Sequence, residues 1–298
     1  MSRAIDVLHL GRDRVICAYE LDGLVVDPGP STALDALISG LGDTEPRALL
    51  LTHIHLDHAG ASGMLCRRFA DLTVYVHERG APHLIDPERL LRSAHQLYGD
   101  DMERLWGEVA PVPERNIRAL SGGETIEGGI RVEYTPGHAS HHVAYLSEAT
   151  GEAFVGDLAG VRIPPSDHVL PPTPPPDIDL EAWERSLHVL DGWGPEELCL
   201  THFGRALDVD GQLARLREGL AREGERARAH GREAFVAAVE DEVLAASDAD
   251  TELAARYLQA APPDQLYLGL ERYWRKRAER ERAAVGAGEG ARAPATRP

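Results

Sequence analysis

Lysine is almost missing from this chain: Lys276 stands alone among 298 residues, and no G-x-x-x-x-G-K-[ST] loop occurs. Both facts argue against Schiff-base chemistry and P-loop phosphate binding. There is no G-x-S-x-G elbow to present a nucleophilic serine. The three cysteines, Cys17, Cys66 and Cys199, are scattered, odd in number and without C-x-x-C spacing. They fit reduced, buried thiols and exclude a disulfide frame or a cysteine-rich metal site. No apolar run is long enough to cross a bilayer, and the first residues lack the apolar centre of a secretory signal, so the expectation is a cytoplasmic protein without a membrane partner. Positive charge is scarce as well. A net charge of −18 argues against a protein that tracks the phosphates of a nucleic acid. Hydrophobic content of 43% and charged content of 27% describe a globular chain with a sizeable core.

What is present is concentrated in residues 48–60. The run Ala48–Leu51 suits a strand buried on both faces, and it ends abruptly in Thr52-His53-Ile54-His55-Leu56-Asp57-His58. His53 and His55 are two apart, so in extended backbone their imidazoles share one side and can hold one ion. Asp57 and His58 fall where the chain turns into a helix and can face a second. Imidazole nitrogen and carboxylate oxygen suit a divalent metal, and four such residues in six positions point to metal binding, although any one alone would pass for an ordinary loop residue.

Other carboxylates and histidines also follow apolar strands. Asp27 closes Gly23–Val26, either as a turn former or as an orienter of a metal-binding histidine. His138 follows Ile130–Tyr134 and a Pro-Gly turn, and Asp157 follows Glu152–Val155. His202 ends Glu197–Thr201, which repeats the device of Leu49–His53, an apolar strand running into Thr-His. Two halves presenting strand ends to a shared seam would put a site between them. Strands are also expected over 4–10, 14–20 and 73–77, and helices over 31–41, capped by Ser31 or Thr32, and over 61–69. A leucine-rich helical insertion covers 81–110; its Tyr98 and Trp106, with His83 and His95, line a pocket or simply pack. The proline-dense stretch 160–180 is a wall of the site or a linker.

The Thr52–His58 segment resembles the T-H-x-H-x-D-H signature of the metallo-β-lactamase superfamily, in particular its glyoxalase II-like branch. The resemblance implies an αβ/βα four-layer sandwich and two divalent ions, zinc first, iron or manganese also admitted. It implies His53, His55 and His138 at one ion, Asp57, His58 and His202 at the other, and Asp157 bridging both, with Asp57 also catalytic. It places His142 beside the substrate; Tyr98, from the insertion, is the other candidate substrate contact, and Asp27 the candidate behind the ligands. The activity implied is hydrolysis of a thioester, ester or lactone carbonyl by a metal-bridging hydroxide. An iron-dependent persulfide dioxygenase and a phosphodiesterase are the alternatives. The expected division is a catalytic domain over 1–208, a helical region over 209–282 that shapes substrate access or serves a homodimer, and a disordered tail over 283–298.

Overall fold

The structure, a computed structural model, describes the chain from Met1 to Gly290. Its first half builds one sheet from β1 (Arg3–Asp6), β2 (Cys17–Leu21), β3 (Leu24–Val26), β4 (Ala48–Leu50), β5 (Thr73–His77) and β6 (Ile117–Leu120), paired in that order. The first three strands are antiparallel and β3 to β6 are parallel. Between them lie α1 (Leu34–Leu41), α2 (Leu56–Ala59), α3 (Ser62–Arg68) and, within the insertion, α4 (Ala81–Ile85), α5 (Glu88–Tyr98) and α6 (Met102–Trp106). The second half builds a sheet from β7 (Thr125–Ile126), β8 (Ile130–Tyr134), β9 (Val143–Ser147), β10 (Glu152–Gly156), β11 (Glu197–Leu200) and β12 (Gly204–Ala206), with α7 (Leu180–Trp193) before β11.

Side chains on a strand alternate between faces, so a continuous apolar run divides itself between two cores. Leu24, Val26, Ala48 and Leu50 turn inward to meet Val132, Tyr145 and Phe154 of the facing sheet, while Val25, Leu49 and Val74 turn outward beneath α1 and α3. In the second sheet Phe154 and Cys199 face inward, and Ala153, Val155, Leu198 and Leu200 face out against α7. The result is the expected helix–sheet–sheet–helix stacking.

The helical region follows as α8 (Val209–Ala229), α9 (Arg232–Ala246), α10 (Thr251–Ala260) and α11 (Pro263–Gly290). Phe235, Val239, Tyr257 and Leu270 share one buried cluster with Val155 and Trp183, so residue 208 marks a change of element type and not a break in the core. The last helix runs past Arg282 to Gly290, which corrects the start of the expected tail; residues 291–298 of that expectation lie outside the described residues.

Two local expectations are also corrected. Residues 7–16 are not strand: Asp6 accepts hydrogen bonds from the amides of Leu8 and Arg14, and Leu8, Leu10 and Arg14 take left-handed backbone. The helix before β4 starts as a 3₁₀ turn at Ser31–Ala33 without a side-chain cap, because Ser31 and Thr32 donate instead to the carbonyls of Gly60 and Leu105. Among the described residues, no helix is long and apolar enough to cross a membrane.

Candidate metal centre

Each element that was expected to end in a donor delivers it to the seam between the sheets. β4 leads into His53 and His55, and the first turn of α2 carries Asp57 and His58. The turn after β8 supplies His138, the end of β10 supplies Asp157, and the end of β11 supplies His202. Two groups result. His53, His55, His138 and Asp157 form one and Asp57, His58 and His202 the other, the donor atoms of each lying within 4.8 Å of one another.

The shared member is Asp157. Its Oδ2 lies 3.2 Å from His138 Nε2, while its Oδ1 lies 3.3 Å from His58 Nε2 and 3.5 Å from His202 Nε2. Asp57 Oδ2 sits 3.3 Å from His202 Nε2 and 3.8 Å from His58 Nε2, and His138 Nε2 is 3.0 Å from His55 Nδ1. Ligands about 2.1 Å from a tetrahedral ion stand about 3.4 Å from each other, so these separations match the edges of a coordination shell. His53 Nε2, His58 Nε2, His202 Nε2 and Asp157 Oδ1 are buried without any hydrogen-bond partner. Such orphaned atoms are costly unless something else satisfies them, and nitrogen and oxygen donors at this spacing suit divalent cations. The residues fit the group.

The opposite edge of three of the five rings is fixed by an acceptor. His138 Nδ1 donates to the Pro172 carbonyl at 2.8 Å and His202 Nδ1 to the Val15 carbonyl at 2.7 Å. His58 Nδ1 bonds Asp27 Oδ2 at 2.8 Å. An acceptor at Nδ1 retains the proton there and leaves the Nε2 lone pair facing inward. Asp27, completely buried and in left-handed backbone, does more than orient one ring. It also accepts from the Thr52 amide at 2.9 Å, the Thr52 hydroxyl at 2.7 Å and the Thr201 hydroxyl at 2.9 Å. The repeated Thr-His device is thus tied to one carboxylate from both halves.

Electrostatics divide the site. Burial, reinforced by neighbouring imidazoles, pushes His53 well below the usual histidine range and His55 down to about 4. Burial also opposes charge on His58 and His202, but Asp157 and Asp57 outweigh it, with Asp27 adding to the pull on His58, and both titrate above the usual range. Burial likewise disfavours the ionised forms of Asp57 and Asp157, yet His58 leads the charges that hold both below the usual carboxylate range. Of the site's imidazoles, His58 and His202 are thus the two whose protonated form the neighbouring carboxylates favour.

A cleft of about 640 Å³ opens above the donors, with His55, Asp57 and Asp157 at its floor. Tyr98 and Trp106 of the insertion line it, as do Pro172 and Pro174–Pro176 of the proline-dense stretch, whereas His83 and His95 do not. His142 is the correction: it is fully buried, stacks behind His53 at 5.2 Å between ring centroids, and bonds the Thr135 hydroxyl at 2.9 Å. The His142 amide donates to the Ala139 carbonyl, closing a turn that carries this ring beneath His53 and away from the cleft. Sequence reasoning missed the carbonyls of Val15 and Pro172, which carry no side-chain signal. It also missed Gly156, where a Cβ would stand 2.4 Å from Thr52 Oγ1.

Comparison with known proteins agrees with this geometry. A probable metallo-hydrolase of Bacillus subtilis is 26% identical over 182 residues, which is 61% of this chain and 76% of that protein. A metallo-β-lactamase fold-containing protein of Sulfurisphaera tokodaii is 30% identical over 196 residues, 64% of this chain and 71% of the relative. A hydroxyacylglutathione hydrolase of Thermosynechococcus vestitus is 31% identical over 136 residues, and there the match spans only 45% of this chain and 42% of the relative. The crystal structure of an archaeal superfamily protein from Sulfolobus tokodaii superposes with a TM-score of 0.62 at 25% identity, covering 73% of this chain and 85% of that one. The description "Metallo-beta-lactamase superfamily" belongs to the family profile that matches residues 15–202, from the loop ahead of β2 to the last donor. That span is well over half of the sequence, and the chain belongs to the metallo-β-lactamase superfamily.

Proposed function

We propose that this protein is a dinuclear metal-dependent hydrolase acting on a thioester, ester or lactone carbonyl. His53, His55 and His138 hold one ion, Asp57, His58 and His202 hold the other, and Asp157 serves both. The observation that carries this reading is Asp157 itself, whose two oxygens face different donor groups. Zinc is the proposed metal, since all seven donors are imidazole or carboxylate; iron and manganese suit the same set. A pair of divalent ions supplies Lewis acidity to the carbonyl and lowers the pKa of water toward neutrality.

The chain's own residues do the rest. Asp57 is the carboxylate of the second group most open to the cleft, at 20% side-chain exposure. Held ionised, it accepts a hydrogen bond from the water that adds to the acyl carbon and aligns it. Tyr98 lines the cleft wall, and its hydroxyl, which donates to Gln265 Oε1 at 3.4 Å, is free to accept a hydrogen bond from the substrate. The new carbon–oxygen bond replaces the carbon–sulfur or carbon–oxygen bond of the substrate, and the water's proton leaves with the thiol or alcohol. Proline rings and Trp106 limit water around the acyl carbon.

Elemental analysis of protein purified without added metal, followed by thioester, ester and lactone hydrolysis, tests the proposal. Two ions per chain and activity abolished in His53→Ala are expected. Protein that remains metal-free when offered zinc, iron or manganese refutes it. The first donor group has four members and is sufficient for one ion alone. An iron oxidoreductase is therefore the second reading, and oxygen consumption with a glutathione persulfide would support it.

A further inference from the structure

We propose that the cleft is built for a linear apolar acyl chain, so that the preferred substrates are medium- to long-chain acyl thioesters or esters carried on an uncharged group. This rests on the hydrolytic reading above and specifies its substrate class.

The first observation is α5. Leu90, Ala94 and Leu97 recur at helical spacing on one face, yet no residue of this helix is buried. All three line the cleft. Leu266 and Leu268 line it from α11, and Trp106 from α6. Leu90, Ala94 and Leu97 are half-buried, and Leu90 also packs on the core outside the first sheet, so the apolar area that remains accessible on this face is the part that turns to the cleft. Here the face is continuous with the floor formed by His55, Asp57 and Asp157, so a chain lying on it would begin at the reacting carbonyl.

The second observation is charge. The basic side chains lining the cleft are Arg272 and Arg275, both on α11. Arg272 donates to the Pro176 carbonyl at 3.0 Å, and Arg275 lies 3.7 Å from Glu271. Glu271 stands beside them on α11, and Asp101, paired with Arg104 at 2.9 Å, adds a carboxylate to the cleft from the insertion. The cleft therefore offers no surplus of positive charge to the carboxylates of glutathione or the phosphates of a nucleotide carrier, whereas its leucines offer area to methylenes.

The test uses the full chain. N-acetylcysteamine thioesters from acetyl to decanoyl are hydrolysed by the zinc-loaded protein, and butanamide, hexanamide and octanamide are titrated into it by calorimetry. Each methylene is expected to raise kcat/KM, and to tighten amide binding, about three- to fourfold until the cleft is filled. Leu97→Gln and Leu268→Gln, made separately so that one folded variant suffices, should flatten both series. Rates and affinities that ignore chain length, or faster turnover of lactoylglutathione than of the octanoyl thioester, overturn the inference. If the amides show the expected series but no thioester is cleaved, the hydrolytic reading fails and the apolar cleft stands. If all thioesters are cleaved alike and the amides show no series, the reverse holds.

Discussion

Asp27→Asn is the most discriminating substitution the site permits. Asparagine keeps the volume and tolerates the left-handed backbone, φ 46°, that residue 27 adopts, so no backbone strain confuses the result. Its carbonyl can still accept from the Thr52 amide, and the Thr52 and Thr201 hydroxyls can rotate to accept from the new NH₂. His58 has no such escape. Its Nδ1 proton would face a donor at 2.8 Å, so the ring must move that proton to Nε2. Nε2 is the atom that stands 3.3 Å from Asp157 and 3.8 Å from Asp57, and once protonated it no longer offers a lone pair. Metal affinity should fall 10- to 100-fold at the Asp57–His58–His202 group. Loss of bonds to a buried charged acceptor should cost about 1.5–3 kcal/mol of stability. Competition against a chromophoric chelator reads the first effect, and urea unfolding of metal-free protein reads the second. Thr201→Val removes one bond to Asp27 without disturbing the tautomer, and its affinity should change less than about tenfold. An Asp27→Asn protein that holds both ions as tightly as the parent would refute the argument that this carboxylate selects the donor atom of His58.

Three further outcomes are expected. Gly156→Ala puts a Cβ 2.4 Å from Thr52 Oγ1 in left-handed backbone and should lose about 2–4 kcal/mol, whereas Gly194→Ala, also left-handed but with open space around it, should lose about 1 kcal/mol; urea midpoints compare them. Burial pushes the thiol of Cys17 up to about 12 and that of Cys66 up to about 11, so neither should react with Ellman's reagent near neutral pH until the chain unfolds. Burial opposes the charge on Glu152, but bonds from Ser2 and Arg205 hold its carboxyl below the usual range. That stabilisation is complete above the ordinary glutamate pKa of about 4.3 and is lost as pH falls through the lowered folded value. Glu152→Gln should therefore lose less stability than the parent between about pH 6 and pH 3, and equal losses would show that the carboxylate contributes nothing.

His53, His55, Asp57 and His58 were readable from the residues as a candidate metal cluster, whereas His138, Asp157 and His202, each after an apolar strand, were singled out by the family resemblance. A sheet edge converts such a pattern into position, and position into a shared seam. Where the pattern weakens, so does legibility. β6 was not anticipated, since as an edge strand it leaves Arg118 and Ala119 exposed and shows little alternation. The loop over residues 7–16 contains Val7, Val15 and Ile16, all buried, which imitate strand composition while Asp6 holds the backbone in a turn. His142 was misplaced for a different reason. Spacing tells how far a residue lies from a ligand along the chain, but not on which side of a tight turn its ring emerges.

The helices that roof the cleft also seal the outer face of the second sheet, through Tyr257, Leu266 and Leu270. A ribosome has already made every donor by His202, yet the roof is missing until the segment from Pro263 onward has emerged. Selectivity in this protein is consequently hard to evolve as a detachable cap: altering the buried side of α11 to admit another substrate would unsettle the hydrophobic interior beneath it. Diversification should instead favour the insertion between β5 and β6, where α5 has no buried residue and can drift at little risk to folding.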